Sequence, residues 1–146
     1  QNTDFIIYSA QVSFPTLNNA EGRASLAYTV TDFGDAEGVT LTGLDPDTNN
    51  PSTSYRAQYN GYPNGTSFTD LLTSLSAAPL GGATQNLSDP ISGSTPIAGS
   101  VSDISSRIAF TLTANDFASG TTTFEVIPEP TALLLLVAGV GLLRRR

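Results

Sequence analysis

The sequence predicts an all-β fold, an antiparallel β-sandwich, and three observations carry that expectation. Apolar and polar residues alternate along several stretches enriched in β-branched side chains. Gly, Pro, Asn and Asp clusters, the residues that turn chains, separate those stretches. The chain has 146 residues with 35 Ser or Thr and an apolar fraction of 39%, enough for one domain with a real but lean core.

Taken in order, the candidate strands are Phe5–Phe14, Arg23–Thr31, Val39–Leu44, Ser54–Tyr59, Arg107–Thr113 and Thr121–Ile127. Within Arg23–Thr31, Ala24, Leu26, Tyr28 and Val30 fall on one face and Ser25, Ala27, Thr29 and Thr31 on the other. Ile108, Phe110 and Leu112 separate from Ala109, Thr111 and Thr113 in the same way. Asp45–Pro51 and Asn60–Gly65 read as turns. Six or more short strands with such turns favour an Ig- or jelly-roll-like sandwich.

One stretch departs from the period of two. Phe68, Leu71, Leu72 and Leu75 stand at i, i+3, i+4 and i+7, and Pro79 ends the run. Ser67 followed by Asp70 resembles a capping box, so a short helix is expected near 68–77. Residues 79–106 are rich in Gly, Ser, Thr and Pro, with isolated Leu87, Ile91, Ile97 and Val101. Either a long ordered loop with short edge strands or a partly mobile segment is expected there.

Composition excludes much chemistry. The six basic residues are all Arg, and there is no Lys, His, Cys, Met or Trp. No disulfide, Cys/His metal cluster, Ser-His-Asp triad or Schiff-base lysine can be built. Two carboxylates alone could hydrolyse a glycoside, but no spacing singles out a pair. The expectation is a protein that is not an enzyme. The net charge of −7 is uneven: about −9 over residues 1–127 and about +2 over the rest. An acidic body repels phosphate backbones, so no nucleic-acid partner is expected. The chain begins at Gln1 and lacks Met, so a removed secretory leader and an exported destination are expected.

The division expected is a body over 1–127 and a tail over 128–146. Pro128, Glu129 and Pro130 come first, and their prolines end the preceding strand. Ala132–Leu143 follows without a charge, carrying Leu133, Leu134, Leu135, Leu136, Val137, Val140, Leu142 and Leu143, and then Arg144, Arg145 and Arg146 close the chain. Thr131 can cap a C-terminal hydrophobic helix, about 20 Å long over Thr131–Leu143 and short of a roughly 30 Å bilayer core unless the arginines snorkel.

The ordered triple of Pro-Glu-Pro, apolar helix and Arg cluster closely resembles the PEP-CTERM sorting signal of Gram-negative bacteria. The resemblance covers about 19 residues. It implies recognition at the inner membrane by an exosortase, an enzyme associated with exopolysaccharide production, followed by release or surface attachment. Fully burying one Leu is worth roughly 1.5–3 kcal/mol, so a retained tail would seek lipid or other copies of the chain. Ala138, Gly139 and Gly141 would let helices approach closely. A homopolymer with tails in a shared core is therefore one expected assembly. The body also resembles, more distantly, the CHRD domain, a secreted β-sandwich module, through Ser9–Phe14, Gly22–Val30 and Val39–Leu44. That family usually has a His-rich motif after its Gly-Leu pair. Tyr55-Arg56-Ala57-Gln58-Tyr59 follows here, so the resemblance supports the sandwich and no metal role.

Two candidate ligand sites remain. Asp45, Asp47 and Asn49 place oxygens at alternate positions, as a Ca²⁺ loop does. The match fails at Asn50, where Gly is needed, and at Arg56, where the bidentate Glu belongs, so a solvated turn is the reading. Asp32, Asp35 and Glu37 crowd a second loop that could join it around a cation. Tyr55, Tyr59 and Tyr62 fall within eight residues, beside Asn60 and Asn64, and could stack on sugars. The sequence thus yields two readings: a non-enzymatic cell-surface or extracellular-matrix protein that self-assembles into filaments, or a monomeric carbohydrate- or Ca²⁺-binding module within exopolysaccharide.

Overall fold

The computed structural model describes residues 1–34, 36–45 and 52–129. These residues are all-β, with no helix among them, and form two antiparallel sheets. In chain order the strands are β1 (Thr3–Tyr8), β2 (Val12–Asn18), β3 (Glu21–Asp32), β4 (Val39–Gly43), β5 (Tyr55–Tyr59), β6 (Thr66–Leu71), β7 (Ser74–Ala77), β8 (Gly82–Asp89), β9 (Thr95–Pro96), β10 (Ser100–Leu112) and β11 (Asp116–Ile127).

The larger sheet is built on β10. Along one edge of β10 run β5, paired from Ile104 to Ile108, and β4, paired from Phe110 to Leu112. Because β4 and β5 lie end to end, the next row is also split, with β6 on β5 and β7 on β4. Along the other edge run β1 and β2, both antiparallel to β10 and hence pointing the same way. The expected strand Phe5–Phe14 is real but interrupted at Ser9–Gln11, which inserts one extra residue against β10 and makes a bulge. The smaller sheet is β11–β3–β8, with β9 beside the start of β3.

The alternation of β3 sets the core. Ala24, Leu26, Tyr28 and Val30 are buried together with Val39 and Leu41 of β4, Tyr55 and Ala57 of β5, and Leu112 of β10. Residues of both sheets therefore share one apolar layer. A second cluster gathers Ala20, Tyr59, Ile97 and Val101. Two glycines permit close approaches. A Cβ on Gly43 would meet the Thr53 carbonyl carbon at 2.4 Å, where the chain leaving β4 returns to β5. A Cβ on Gly120 would meet Tyr28 Cδ1 at 2.0 Å, because the Tyr28 ring lies across its cross-strand neighbour.

The expected helix near 68–77 is replaced by β6 and β7. Two strand irregularities produce the helical spacing. Thr69 pairs with Ala57 and Ser67 with Gln58, so Phe68 is the extra residue of a bulge. The bulge shifts the parity of the strand and turns Phe68 to the same side as Leu71, where it stacks on Phe124 at 5.2 Å. Leu72 then takes φ 61°, stepping the chain from β5 to β4, and Leu75 returns to the core opposite Leu41. The Ser67 hydroxyl does reach Asp70, at 2.7 Å, but between side chains of a strand. Residues 79–106 also carry more order than a long loop, since β8 pairs along eight residues of β3 and β10 begins at Ser100. The expected C-terminal helix, with Leu133–Leu136, Val137, Val140, Leu142 and Leu143, lies outside the described residues, as do Pro130 and Arg144–Arg146.

Candidate functional site

The chemistry-bearing side chains of the body collect on the outer face of the larger sheet. Register brings them into one row: Tyr8 opposite Arg107, Arg107 opposite Arg56, and Arg56 opposite Asp70. Side chains directly opposed on antiparallel strands share a face, so four strands contribute to a single stripe.

At one end of the stripe is a charge cluster. Arg56 Nε donates to Asp70 Oδ1 at 2.7 Å, and Ser67 Oγ donates to Asp70 Oδ2. Asp45, fully buried, has its Oδ1 3.1 Å from Arg107 Nη1 and 3.7 Å from Arg56 Nη1. Its backbone closes the β4–β5 connection through a two-way bridge to Thr53. Burial raises the Asp45 carboxyl above the ordinary carboxylate value; Arg56 and Arg107 pull it back in part, and Asp70 pushes it further up. Oδ2 of Asp45 has no hydrogen-bond partner among the described residues, in keeping with desolvation outweighing attraction.

At the other end is an aromatic pair. The Arg107 guanidinium lies 5.3 Å from the centre of the Tyr8 ring, within cation–π range. Tyr8 meets Tyr62 edge to face at 5.9 Å. Both tyrosines are exposed, at 41% and 46%. The Asn60–Gly65 turn that presents Tyr62 is clamped on both sides. Gly61 N donates to Asp103 Oδ1 at 3.0 Å, and buried Gln58 donates from Nε2 to Pro63 O and to Ser105 Oγ, both at 2.9 Å. Asn60 adds bonds to Ser100 O and from Ser102 N. Tyr62 is thereby held as a fixed aromatic surface.

No protein-family model, curated protein or solved structure matches this chain.

The sequence-derived candidates are distributed differently from their spacing. Of Tyr55, Tyr59 and Tyr62, only Tyr62 faces solvent. Tyr55 and Tyr59 are the first and last residues of β5, with their rings in the core, and the Tyr55 hydroxyl donates to Thr123 O at 3.1 Å. Asp45 is engaged by two guanidinium groups, while Asp47 and Asn49 lie outside the described residues. Asp32 is buried and its Oδ2 accepts the Leu80 N–H at 2.5 Å, tying down the turn before β8; Glu37 is exposed and Asp35 is not described. Among the described residues, no group of three or more Asp or Glu is placed to hold a metal ion. Tyr8 and Arg107 escaped sequence reasoning because they join Tyr62 only through the pairing of β1 with β10. The signal that could have found Tyr8 is the break in alternation along Phe5-Ile6-Ile7-Tyr8, where an apolar residue occupies the face expected to be polar.

A second feature is a half-open apolar cleft of about 150 Å³ between the sheets, with Ile7, Tyr28, Phe110 and Gly120 among its walls. Burial pushes the Tyr28 phenol up to about 12, and Ser54 nearby holds it from rising further.

Proposed function

We propose that this protein is a non-enzymatic, exported cell-surface or extracellular-matrix component: a β-sandwich body of Ig- or jelly-roll-like type carrying a PEP-CTERM-like sorting tail. The observation that carries this reading is where the body ends. Among the described residues the last strand runs to Ile127, its final ladder pair is Ile127 with Glu21, and Pro128-Glu129 follows at once. Among the described residues, the core clusters draw on positions up to Val126. A β-sandwich body followed directly by the Pro-Glu-Pro, apolar and Arg-rich triple matches the layout that the resemblance implies for an exosortase substrate. In this reading Ala132–Leu143 engages the inner membrane, and the destination is the envelope or the extracellular matrix. Should the tail be retained, burial of its leucines among copies makes the protein a filament subunit. Intact mass of the protein taken from its native cells tests this. A chain ending near Pro128–Pro130, or modified there, supports the reading; an unprocessed chain in the cytoplasm overturns it.

Tyr62 favours a second reading, in which the body binds carbohydrate within exopolysaccharide. A clamped tyrosine backed by Tyr8 and Arg107 offers a ring face and a guanidinium edge, the chemistry that sugar rings and uronic acids use. Tyr62→Ala and Tyr8→Ala should each weaken retention on immobilised acidic polysaccharide several-fold; unchanged retention in both removes this reading. A Ca²⁺ requirement is tested by melting with and without chelator.

A further inference from the structure

We propose that β1 is a self-pairing edge, through which two copies of this chain associate as a two-fold dimer with Ile6 on the axis. All six residues of β1 are exposed, although four of them are large and apolar: Phe5 38%, Ile6 54%, Ile7 53% and Tyr8 41%. Among the described residues, the strand pairs with β10 along one edge and with no strand along the other. It lacks the features that blunt such edges, having no Lys and no Pro, whereas β2 carries Pro15 and a register shift.

Hydrogen-bond alternation fixes the register. Ser9 donates its N–H to Ser106 O, so odd-numbered residues of β1 turn their backbone groups toward β10. Asp4, Ile6 and Tyr8 therefore present N–H and C=O along the free edge. Antiparallel pairing of two identical edges about an axis normal to the sheet keeps each face continuous, so each residue meets one of its own parity. Centring on Ile6 sets Ile6 against Ile6 and Asp4 against Tyr8 of the second copy. Within Thr3–Tyr8 this register uses every outward group and forms about six hydrogen bonds.

Charge and apolar surface agree with that register. Residues 1–127 carry about nine net negative charges, yet Phe5–Phe14 carries none. Asp4 is the one charge on β1, already accepting from Thr111 Oγ1 at 2.6 Å, and it would face a tyrosine rather than a second carboxylate. On the inner face, Phe5 of each copy meets Ile7 of the other, which extends the apolar wall over the mouth of both clefts. A single edge pairing of this kind lies at the low end of specific interfaces, on the order of 1,000 Å², so a weak, concentration-dependent association is expected. The pairing goes beyond the surface-protein reading and does not depend on it, since β1 contains none of the tail.

The chain has no Cys, so single cysteines report the contact cleanly. Directly opposed hydrogen-bonded residues sit with Cα atoms about 5.5 Å apart, within disulfide range. Under mild oxidation the full-length Ile6→Cys variant should cross-link at least tenfold faster than Ile91→Cys, whose residue is 91% exposed and remote from β1 in sequence and pairing. Sedimentation of the Cys-free chain should show a concentration-dependent dimer, and Ile6→Lys should raise its dissociation constant about tenfold or more. Ile6 is exposed and its N–H is unused by β10, so the melting temperature of Ile6→Lys should match the parent. A chain that stays monomeric to millimolar concentration, equal cross-linking at positions 6 and 91, or undiminished association of Ile6→Lys each overturns the proposal. Association through the tail alone would give those last two results.

Discussion

Asp45 shows how one residue's surroundings reverse the meaning of its sequence context. Next to Pro46 and Asp47 it looks like a cation ligand, yet its carboxylate is the anionic centre between Arg56 and Arg107. Its folded-state pKa is raised above 3.8, so the native protein holds that proton more tightly than the unfolded chain. The associated stability is fully present below about pH 4 and declines as pH rises through the raised value. Asp45→Asn removes this ionisation and keeps the backbone bridge to Thr53. The melting temperature of the parent minus that of Asp45→Asn should therefore fall between pH 4 and pH 7, and a difference that grows across that range contradicts the assignment. The tyrosines give a second measurement. Burial raises both Tyr28, to about 12, and Tyr55, further elevated by Tyr28. Two of the five phenols should resist ionisation in an alkaline absorbance titration until the protein unfolds.

At the scale of elements, the strands legible in the sequence are those whose two faces meet different environments. β3 alternates cleanly because one side lies in the shared core, and β4, β5 and β11 follow for the same reason. What escaped was set by neighbours in space. The bulge at Phe68 and the positive φ of Leu72 exist because β4 and β5 lie end to end on β10, a fact of pairing that no local window contains. β8 escaped because its Gln, Asn, Ser and Thr carry little apolar signal; its order comes from the ladder with β3, including Thr29 and Thr84 hydroxyls 2.9 Å apart. The aromatic end of the candidate site was legible only at Tyr62, its partners Tyr8 and Arg107 being 54 positions earlier and 45 later. The same pairing logic makes Gly120 a sensitive point. Gly120→Ala forces Tyr28 off its cross-strand neighbour and should cost about 1–3 kcal/mol in denaturant unfolding, with Tyr28→Leu recovering part of the loss. An unchanged midpoint would mean that the Tyr28 ring does not lie across Gly120.

For the whole molecule, the question is whether body and tail are separable. Among the described residues the core clusters run from Phe14 to Val126, and β11 ends on a ladder pair at Ile127. The stability of the body should therefore reside upstream of Pro128. Among the described residues no helix is long and apolar enough to cross a membrane, and the apolar run of the tail lies beyond them. A chain ending at Ile127 should unfold cooperatively, with a melting temperature within about 2 °C of the full chain measured in the same detergent. A ΔΔG of 1 kcal/mol shifts such a domain by roughly 3–6 °C, so a larger drop would reveal tail residues contributing to the core. The complementary variant, Arg144, Arg145 and Arg146 all changed to Ser, should leave that melting temperature untouched and block processing in the native cells. If truncation unfolds the body, the tail is part of the globule and the sorting reading fails. If truncation is harmless and the Ser variant is still processed, the division into body and tail stands and the address lies elsewhere in the chain.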